Sequence, residues 1–274
     1  MIIHPVTDIN DPAIALYNER AETKLYRFYE PDPGLFIVET PMVITRALEA
    51  GYVPVSIAGE PKMMETEAAK FADEAFGGDI PAYVCSEEVL SELAGYRLAR
   101  GILCTFRRRV MPAPEDVIRG VDRLVLLEDV MNPTNVGAIF RSAAALGMDA
   151  VLLSPRCSDP LYRRASRVSV GNVFLVPWTF FDRRTTSVQR IEWLKAQGYT
   201  TVAMALTDDS VQLGTRDFGS VEKIAVVMGN EGEGMSEEAI AACDVTVKIP
   251  MKNGVDSLNV AAASAVAFWE LRKK

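Results

Sequence analysis

The stretch "KIAVVMGNEGEGMSEEAI", residues 223–240, runs from an apolar segment through a glycine-rich loop into a polar helix start. Glycines this dense after a strand indicate backbone that approaches a ligand closely. A phosphate-binding loop would present bare N–H groups and a lysine, whereas this loop has Glu231 and Glu233, whose carboxylates repel phosphate. A plain turn before a helix capped by Ser236 accounts for the end of the stretch but not for residues 229–232. We therefore expect a ligand with hydroxyl groups or positive charge.

Predicted buried strands alternate with helices throughout the second half of the chain. The strands are short apolar runs bounded by turn residues, namely "RLVLLED" (123–129), "AVLLS" (150–154), "VFLVP" (173–177), "TTVAMAL" (200–206), "KIAVVM" (223–228) and "VTVKIP" (245–250). Helices are expected at residues 132–147, 187–197, 236–243 and 257–272. This alternation predicts an α/β fold with a mostly parallel sheet, whose ligands bind at the carboxyl ends of the strands.

The first half predicts a smaller α/β domain. An N-terminal helix at 11–30 precedes strands at 34–39, 53–59, 82–85 and 101–106 and helices at 41–51, 63–76 and 86–95. Two prolines, several charges and no sustained apolar face mark residues 107–123 as a linker. We therefore expect one domain over residues 1–112 and a second over residues 119–274.

Composition narrows the class of protein. Of the 274 residues, 49% are hydrophobic, which is enough for a sizeable core. No apolar run reaches the ~18–20 residues that span a bilayer, and the first residues lack the profile of a signal peptide. The four scattered cysteines fit reduced thiols of a cytoplasmic protein. His4 is the only histidine, which argues against a histidine triad or a zinc site, so we expect no metal.

Charge is unevenly distributed along the chain. The net charge of −8 argues against indiscriminate nucleic-acid binding, yet residues 156–190 have seven Arg and only two Asp. Three of these arginines, Arg163, Arg164 and Arg167, lie in "LYRRASRVS", shortly after a predicted strand. They form either a solvated helical face or a contact for phosphate groups.

A second group of polar residues lies in "NPTNVGAIFRSA" (132–143). Asn132 and Asn135 stand at a helix start, and Arg141 follows among small apolar residues, where a planar or anionic group can approach it. A capped amphipathic helix with a solvated arginine is the simpler alternative.

A third group lies in "KIPMKNGVDSLNVAAASAVAFW" (248–269). A strand, a proline and a polar turn lead to Ser257 and Asn259, which open a helix. Taken alone, Ser257 could serve only as the cap of that helix.

Together, the three stretches resemble the three motifs of the SpoU family of RNA methyltransferases, within the SPOUT superfamily. The correspondence lies in "N-x-G-x-x-x-R-S-A" in the second stretch, "GNEGEG" in the loop and "IPM…SLNVA" in the third, with the order and spacing of the family. The segment "VSVGNVF" (168–174) also resembles a family segment, and the resemblance covers about residues 121–274.

The N-terminal part resembles, more weakly, the substrate-binding domain of many members, which is similar to a ribosomal RNA-binding protein. The matching pieces are "GLFIVETPMVITRALEAG" (34–51) and "AYVCSEEVLSELAGYRLARGILCTFRR" (82–108). Thr40 stands where members often have the glycine of a Glu-Gly pair.

The resemblance implies methyl transfer from S-adenosylmethionine to a ribose 2′-hydroxyl of rRNA or tRNA. It also implies a C-terminal domain with a trefoil knot, which general rules of chain topology would not predict. The donor suits the glycine-rich loop because it has a sulfonium, an ammonium and hydroxyls but no phosphate. By family correspondence the donor lies against Ala205, Leu206, Gly229, Ile249, Met251 and Leu258.

Family correspondence places Asn135, Arg141, Glu231, Ser257 and Asn259 at the catalytic centre. The family proposal makes the arginine the base, but a guanidinium hardly deprotonates. We expect Arg141 instead to hold a substrate phosphate, so that the ribose lies near the methyl group. The general base stays unassigned.

The expected partners are RNA and a second copy of the chain. If Arg163, Arg164 and Arg167 contact phosphates, they form part of the RNA surface. Relatives pair through the C-terminal domain, and the last helix is apolar or small on nearly every side from Val260 to Trp269. Burial of this helix inside one subunit is the alternative.

Two other functions compete with methyl transfer. A non-catalytic RNA-binding member of the same fold would show no donor binding in a titration. A Rossmann-type oxidoreductase needs G-x-G-x-x-G after the first strand, where this chain has "LEDVMNPTNVG" instead. The sequence therefore argues against the oxidoreductase.

Overall fold

The computed structural model describes residues 1–17, 34–96, 101–230, 232 and 234–273. The chain divides into two compact units. Unit 1 comprises Met1–Val110 and Leu161–Leu175, and unit 2 comprises Met111–Pro160 and Val176–Lys274. No helix in the described part of the chain is long and apolar enough to cross a membrane.

Strands and helices alternate along most of the described chain. The strands are β1 Ile2–Val6, β2 Leu35–Glu39, β3 Pro54–Gly59, β4 Pro81–Cys85, β5 Ile102–Arg107, β6 Arg123–Leu127, β7 Ala150–Leu153, β8 Trp178–Phe180, β9 Thr200–Met204, β10 Val211–Gln212, β11 Ile224–Met228 and β12 Val245–Lys248. The α-helices are α1 Pro41–Glu49, α2 Glu67–Phe76, α3 Glu87–Ala94, α4 Pro114–Val117, α5 Pro133–Leu146, α6 Arg163–Val168, α7 Ser187–Ala196, α8 Glu237–Ala242 and α9 Val260–Leu271. Short 3-10 helices lie at Pro12–Tyr17, Pro61–Met63 and Asn172–Phe174.

Unit 1 is built on a mixed sheet. Among the described residues, its strand order is β1-β4-β3-β5-β2. Strands β1, β4 and β3 are parallel, whereas β5 is antiparallel to both β3 and β2. Strand β2 is buried along its whole length, and Leu35 and Ile37 pack in a core with Leu90 and Leu103.

Unit 2 is built on a parallel sheet. The described strands follow the order β10-β12-β9-β11-β6-β7-β8, and every pair is parallel. Strands β6, β7 and β11 are buried at every position, as expected for parallel strands covered on both faces. The short apolar runs of the sequence become these strands because only burial on both faces satisfies a continuous apolar run.

The helices of unit 2 begin and end at residues that satisfy free backbone groups. Asn132 accepts a hydrogen bond from the N–H of Thr134 at the start of α5, and Gly147 ends that helix with φ 76°. Ser236 caps α8 in the same way. Helix α9 is capped by Asn259, whose side chain accepts from the N–H of Ala261, and not by Ser257.

The structure confirms most of the predicted elements and corrects several. The predicted strand at 173–177 is wrong: the chain forms a 3-10 helix at Asn172–Phe174, and the strand begins at Trp178. The apolar run is explained by the burial of Val173 in unit 1 and not by sheet pairing. Sequence pattern does not predict strands β1 and β10, because β10 has two residues and β1 contains a proline.

The predicted linker and N-terminal helix also differ from the structure. Residues 107–123 contain α4, and Val117, Ile118 and Val121 pack in the core of unit 2. Only a short part of the predicted linker therefore connects the units. Of the predicted helix at 11–30, residues Pro12–Tyr17 form a 3-10 helix, and the remainder lies largely outside the described residues.

The segment Leu161–Leu175 belongs to unit 1, although it lies within the predicted second domain. Helix α6 packs on β2, where Glu39 pairs with Arg163 at 3.3 Å and with Arg167 at 3.4 Å. Tyr96 donates a hydrogen bond to Glu39. The backbone carbonyl of Val170 accepts from Arg46 Nη1 at 2.7 Å. This packing depends on residues more than 100 positions apart, which sequence pattern does not connect.

Candidate active site

Three neighbouring strands of unit 2 bring the conspicuous segments of the sequence to one edge of the sheet. Strand β9 lies between β11 and β12, and all three are parallel. Their carboxyl ends therefore open at the same edge, where ligands of such sheets bind. The residues that follow are 205–206 after β9, 229–235 after β11 and 249–259 after β12.

A cavity of about 600 Å³ lies at this edge of unit 2. Its volume falls within the roughly 300–1,000 Å³ of small-molecule sites. All of the residues predicted to bind the donor line it, which are Ala205, Leu206, Gly229, Ile249, Met251 and Leu258. Ser257 and Asn259, predicted for the catalytic centre, also line it. The structure thus brings together side chains that the sequence separates by more than 50 positions.

The glycine-rich loop after β11 folds back on itself. Gly229 is packed so tightly that a Cβ atom there would lie 2.7 Å from the backbone nitrogen of Met235. Asn230 pairs with Gly234 in an isolated antiparallel bridge, and its side chain accepts from the N–H of Gly232 at 2.6 Å. Glu231, predicted for the catalytic centre, lies outside the described residues, so its role stays a prediction.

A tight turn after β12 returns the chain to the cavity. Asn253 and Gly254 both have positive φ, at 59° and 72°, and the N–H of Val255 donates to the carbonyl of Lys252. Two consecutive left-handed residues reverse the chain direction sharply. As a result, residues 256–259 line the same cavity as Ile249 and Met251.

Helices α5 and α9 pack together and hold the asparagine pair of the site. Asn259 Nδ2 donates to Asn135 Oδ1 at 3.2 Å, and Asn259 Oδ1 accepts from the N–H of Ala261. Asn135 is buried. Because both ends of the Asn259 amide have partners, its orientation is fixed beside Ser257.

Arg141 is placed differently from the other predicted catalytic residues. It lies on α5 with an exposed side chain and is not part of the cavity wall. An exposed guanidinium outside the cavity wall is free to approach an external anion. Its placement fits a contact to the substrate side better than a contact to a ligand inside the cavity.

The arginines of residues 156–190 differ in their exposure in the fold. Arg163 is 3% exposed, pairs with Glu39 and donates to the carbonyl of Ala94 at 3.2 Å. We therefore correct the expectation for Arg163, because a guanidinium buried against a carboxylate presents no surface to a phosphate. Arg164 is exposed, and Arg167 is partly exposed with its guanidinium 4.4 Å from the centre of the Tyr96 ring.

Several cavity residues are missed by sequence reasoning. They include Met204, Met228, Met235, Lys248 and Asp256. The sequence itself could have indicated two of these residues, because Lys248 interrupts an apolar strand and Asp256 directly precedes Ser257. The methionines read as ordinary core residues, and only the strand order shows that they face a cavity.

The start of β12 is anchored against β9 by Asp244. Its Oδ2 accepts from both the N–H and the hydroxyl of Thr201 at 2.9 Å. Burial disfavours ionisation of Asp244, but the hydrogen bonds from Thr201 and the nearby Lys195 ammonium outweigh it, so the pKa of the carboxyl is lowered. Thr201 thus helps to fix the strand that carries Lys248 to the cavity. In the described part of the chain, no group of three His, Cys, Asp or Glu residues could hold a metal ion.

Comparison with known proteins agrees with this arrangement. Residues 122–269 match the model of the SpoU rRNA Methylase family. An uncharacterized tRNA/rRNA methyltransferase of Mycobacterium tuberculosis is 34% identical over 269 residues, covering 98% of this chain and 91% of that protein. A solved rRNA methyltransferase from Sinorhizobium meliloti has a TM-score of 0.77 at 25% identity, covering 98% of this chain and 97% of that one. A second structure from that organism, described as AdoMet-bound, has a TM-score of 0.78 at 24% identity, with the same coverage, and shares the fold.

The family match spans more than half of the chain, and it contains the glycine-rich loop, the asparagine pair and every cavity-lining residue that the structure describes. The relative from Mycobacterium tuberculosis extends the similarity over nearly the whole length. This chain belongs to the SpoU rRNA methylase family.

Proposed function

We propose that the protein transfers a methyl group from S-adenosylmethionine to a ribose 2′-hydroxyl of rRNA or tRNA. The observation that carries the proposal is the cavity at the carboxyl edge of the unit 2 sheet. Ser257 and Asn259 line that cavity together with the predicted donor residues, and Asn135 holds Asn259. Family membership supports RNA methylation, and the arrangement of polar side chains supports a hydroxyl as the acceptor.

The residues of the cavity fit S-adenosylmethionine. Gly229, Gly232 and Gly234 let the adenosine part approach the backbone closely, and the apolar wall suits its flat base. Methionine side chains adapt their shape to a ligand and contact aromatic rings favourably. When bound, the donor supplies an electrophilic methyl group on a sulfonium.

The chain's own residues act by positioning the acceptor. Arg141 holds an RNA phosphate outside the cavity, which fixes the neighbouring ribose near Ser257. Orientation of this kind lowers a barrier by several kcal/mol. The hydroxyl of Ser257 and the amide of Asn259 hydrogen-bond the 2′-hydroxyl and keep its oxygen directed at the methyl group. Glu231 remains a proposed member of this centre.

Three further features belong to the proposal. Unit 1 holds part of the RNA, with Arg164 and Arg167 as phosphate contacts. The C-terminal segment of unit 2 threads a loop to form a trefoil knot. Two copies pair through α9, and the pairing completes each active site.

The decisive experiment is methylation of total rRNA and tRNA with S-adenosylmethionine labelled in its methyl group. A 2′-O-methyl group removes the nucleophile of alkaline hydrolysis, so the labelled nucleotide should be released as an alkali-resistant dinucleotide. Label recovered only in mononucleotides would mean base methylation and would contradict the ribose assignment. Absence of donor binding in a calorimetric titration would favour the non-catalytic RNA-binding member.

The salt dependence of RNA binding tests the proposed phosphate contacts of unit 1. Replacing Arg164 and Arg167 by Gln should reduce the slope of log affinity against log salt by roughly one to two units. Replacing the exposed Arg183 and Arg184 in the same way provides the matched control. An unchanged slope in the first variant would remove Arg164 and Arg167 from the RNA surface.

A further inference from the structure

Two residues of opposite charge line the cavity. In the part of the cavity wall that the structure describes, Lys248 and Asp256 are the charged residues, and the remainder is apolar, glycine or neutral polar. Lys248 ends β12, and Asp256 lies after the turn that follows this strand. Two opposite charges at one small-molecule site match a ligand with both an anionic and a cationic group.

Lys248 occupies an unusual place for a lysine. Strand β12 lies between β9 and β10 inside a parallel sheet, where strands are normally apolar. Its side chain is half-buried, and Nζ donates to the carbonyl of Thr207 at 3.3 Å. This bond uses one of three ammonium protons, so Lys248 keeps donors for a ligand in the cavity.

Asp256 lines the cavity from the segment after the turn that follows β12. The turn at Asn253 and Gly254 reverses the chain, so that Asp256 lines the cavity directly before Ser257. Its side chain is exposed, which leaves the carboxylate hydrated and able to accept from a ligand ammonium. It therefore lies at the open side of the cavity, beside the proposed reaction centre.

We propose that Asp256 and Lys248 recognise the amino-acid end of the methyl donor. Asp256 accepts from the donor's ammonium, and Lys248 donates to the donor's carboxylate. This inference rests on the proposed function, because it takes S-adenosylmethionine as the ligand. The glycines and methionines then bind the adenosine part. The two charged residues favour ligands that have the complete amino-acid end.

Calorimetric titration of the full chain with matched ligands tests this assignment. S-adenosylhomocysteine has the amino-acid end, and 5′-methylthioadenosine lacks it. Asp256→Asn and Lys248→Gln should each lower the affinity for S-adenosylhomocysteine about tenfold, which is the effect of losing one charge-assisted hydrogen bond. Both variants should bind 5′-methylthioadenosine like the wild type, and this unchanged binding also shows that they fold. Asp208→Asn and Lys252→Gln, which alter exposed charges outside the cavity wall, should leave both affinities unchanged.

Two more ligands separate the roles of the two residues. Decarboxylated S-adenosylmethionine keeps the ammonium but lacks the carboxylate. Lys248→Gln should therefore leave the affinity for it unchanged, whereas Asp256→Asn should lower that affinity. S-adenosylhomocysteine lacks the sulfonium charge of S-adenosylmethionine. If Asp256→Asn lowers the affinity for both ligands equally, Asp256 contacts the ammonium. A loss confined to S-adenosylmethionine would place Asp256 at the sulfonium and overturn the assignment.

The remaining outcomes also decide the matter. Equal losses of affinity for S-adenosylhomocysteine and 5′-methylthioadenosine would mean that the substitutions disturb the whole cavity, which would overturn the inference. Unchanged affinity for every ligand would overturn it as well. Wild-type protein that binds none of the ligands would refute the proposed function itself, which is distinguishable from a failure of the variants alone.

Discussion

Thr40 has backbone dihedrals of φ 70° and ψ 143°, a conformation that β-branched residues rarely adopt. It joins β2 to α1, directly after the buried Glu39. The surrounding strand and helix hold the strained backbone in place. The chain therefore has a β-branched residue at a position where the fold demands glycine-like dihedrals.

Replacing Thr40 by Gly should raise the free energy of unfolding by about 1 kcal/mol. Release of roughly 1–3 kcal/mol of strain outweighs the roughly 0.5–1 kcal/mol that added flexibility costs in the unfolded chain. Thermal unfolding measures the difference. Thr66→Gly is the control, because Thr66 caps α2 at φ −70° and has no such strain, so this variant should lose stability. A less stable Thr40→Gly protein would contradict the strain.

Gly229 should not tolerate a side chain. In Gly229→Ala the new Cβ would meet the backbone of Gly234 and Met235 at 2.7–2.8 Å, so the loop must move. We expect a loss of roughly 1–3 kcal/mol of stability, as for overpacking elsewhere, together with weaker donor binding. Gly232→Ala is the matched control, because its Cβ would lie 3.5 Å from Asn230 Oδ1, an ordinary contact. Equal stability of the two variants in thermal unfolding would argue against the tight loop.

Arg141→Ala should lower kcat/KM for RNA by about a hundredfold or more, because a lost phosphate contact frees the ribose to move. Donor affinity should stay nearly unchanged, since Arg141 lies outside the cavity wall. Methyl-transfer kinetics and donor titration measure the two quantities. Arg119→Ala removes another exposed arginine of unit 2 and should affect neither. Parallel losses of donor affinity and rate would place Arg141 at the donor instead.

At the scale of elements, α9 has two different apolar faces. Val260, Ser264, Ala267, Phe268 and Leu271 are buried, as the alternative of burial within one subunit required. The opposite face remains open and is still apolar, with Val266 42% and Trp269 57% exposed. Burial in one subunit therefore explains only half of the helix, and the proposed pairing with a second copy would cover the rest.

The protein should sediment as a homodimer at low micromolar concentration. Val266→Glu places a charge in the proposed interface and should yield monomers, because a buried unpaired carboxylate is costly. Val53→Glu, at an exposed valine of unit 1, should leave the dimer intact. Wild-type protein that is monomeric and active would rule out this interface.

At the scale of the whole molecule, the chain passes from unit 2 into unit 1 and back between residues 160 and 176. The inserted segment is held by the buried carboxylate of Glu39, which faces Arg163 and Arg167. Unit 1 is therefore built from two parts of the sequence, and its stability depends on a segment that lies inside the family match.

Glu39→Gln should destabilise unit 1 by about 3 kcal/mol, because it leaves the buried Arg163 without its counter-charge. Trypsin should then cleave within residues 163–168 much faster than in the wild type, since loosening of α6 exposes its arginines. Glu49→Gln, at an exposed position of α1, is the control and should behave like the wild type. Unchanged proteolysis and unfolding in Glu39→Gln would show that the ion pairs do not hold the segment.

The sequence alone determined the features that depend on neighbouring residues. Apolar runs between turn residues predicted the buried strands, and Asn132 and Ser236 predicted helix starts, because these signals act within a few positions. The three motifs identified the family, and six donor residues predicted from it line one cavity. The motifs come together because the strands that precede them, β6, β11 and β12, lie within four consecutive strands of the parallel sheet.

Only the tertiary structure decided the features that join distant parts of the chain. It buried Arg163 against Glu39, moved residues 161–175 into unit 1 and oriented Asn259 through Asn135. It also placed Lys248 and Asp256 in the wall of one cavity. The physical reason is common to all of them: a side chain's partner is set by strand order and helix packing, and local periodicity contains no information about which distant residue will be opposite.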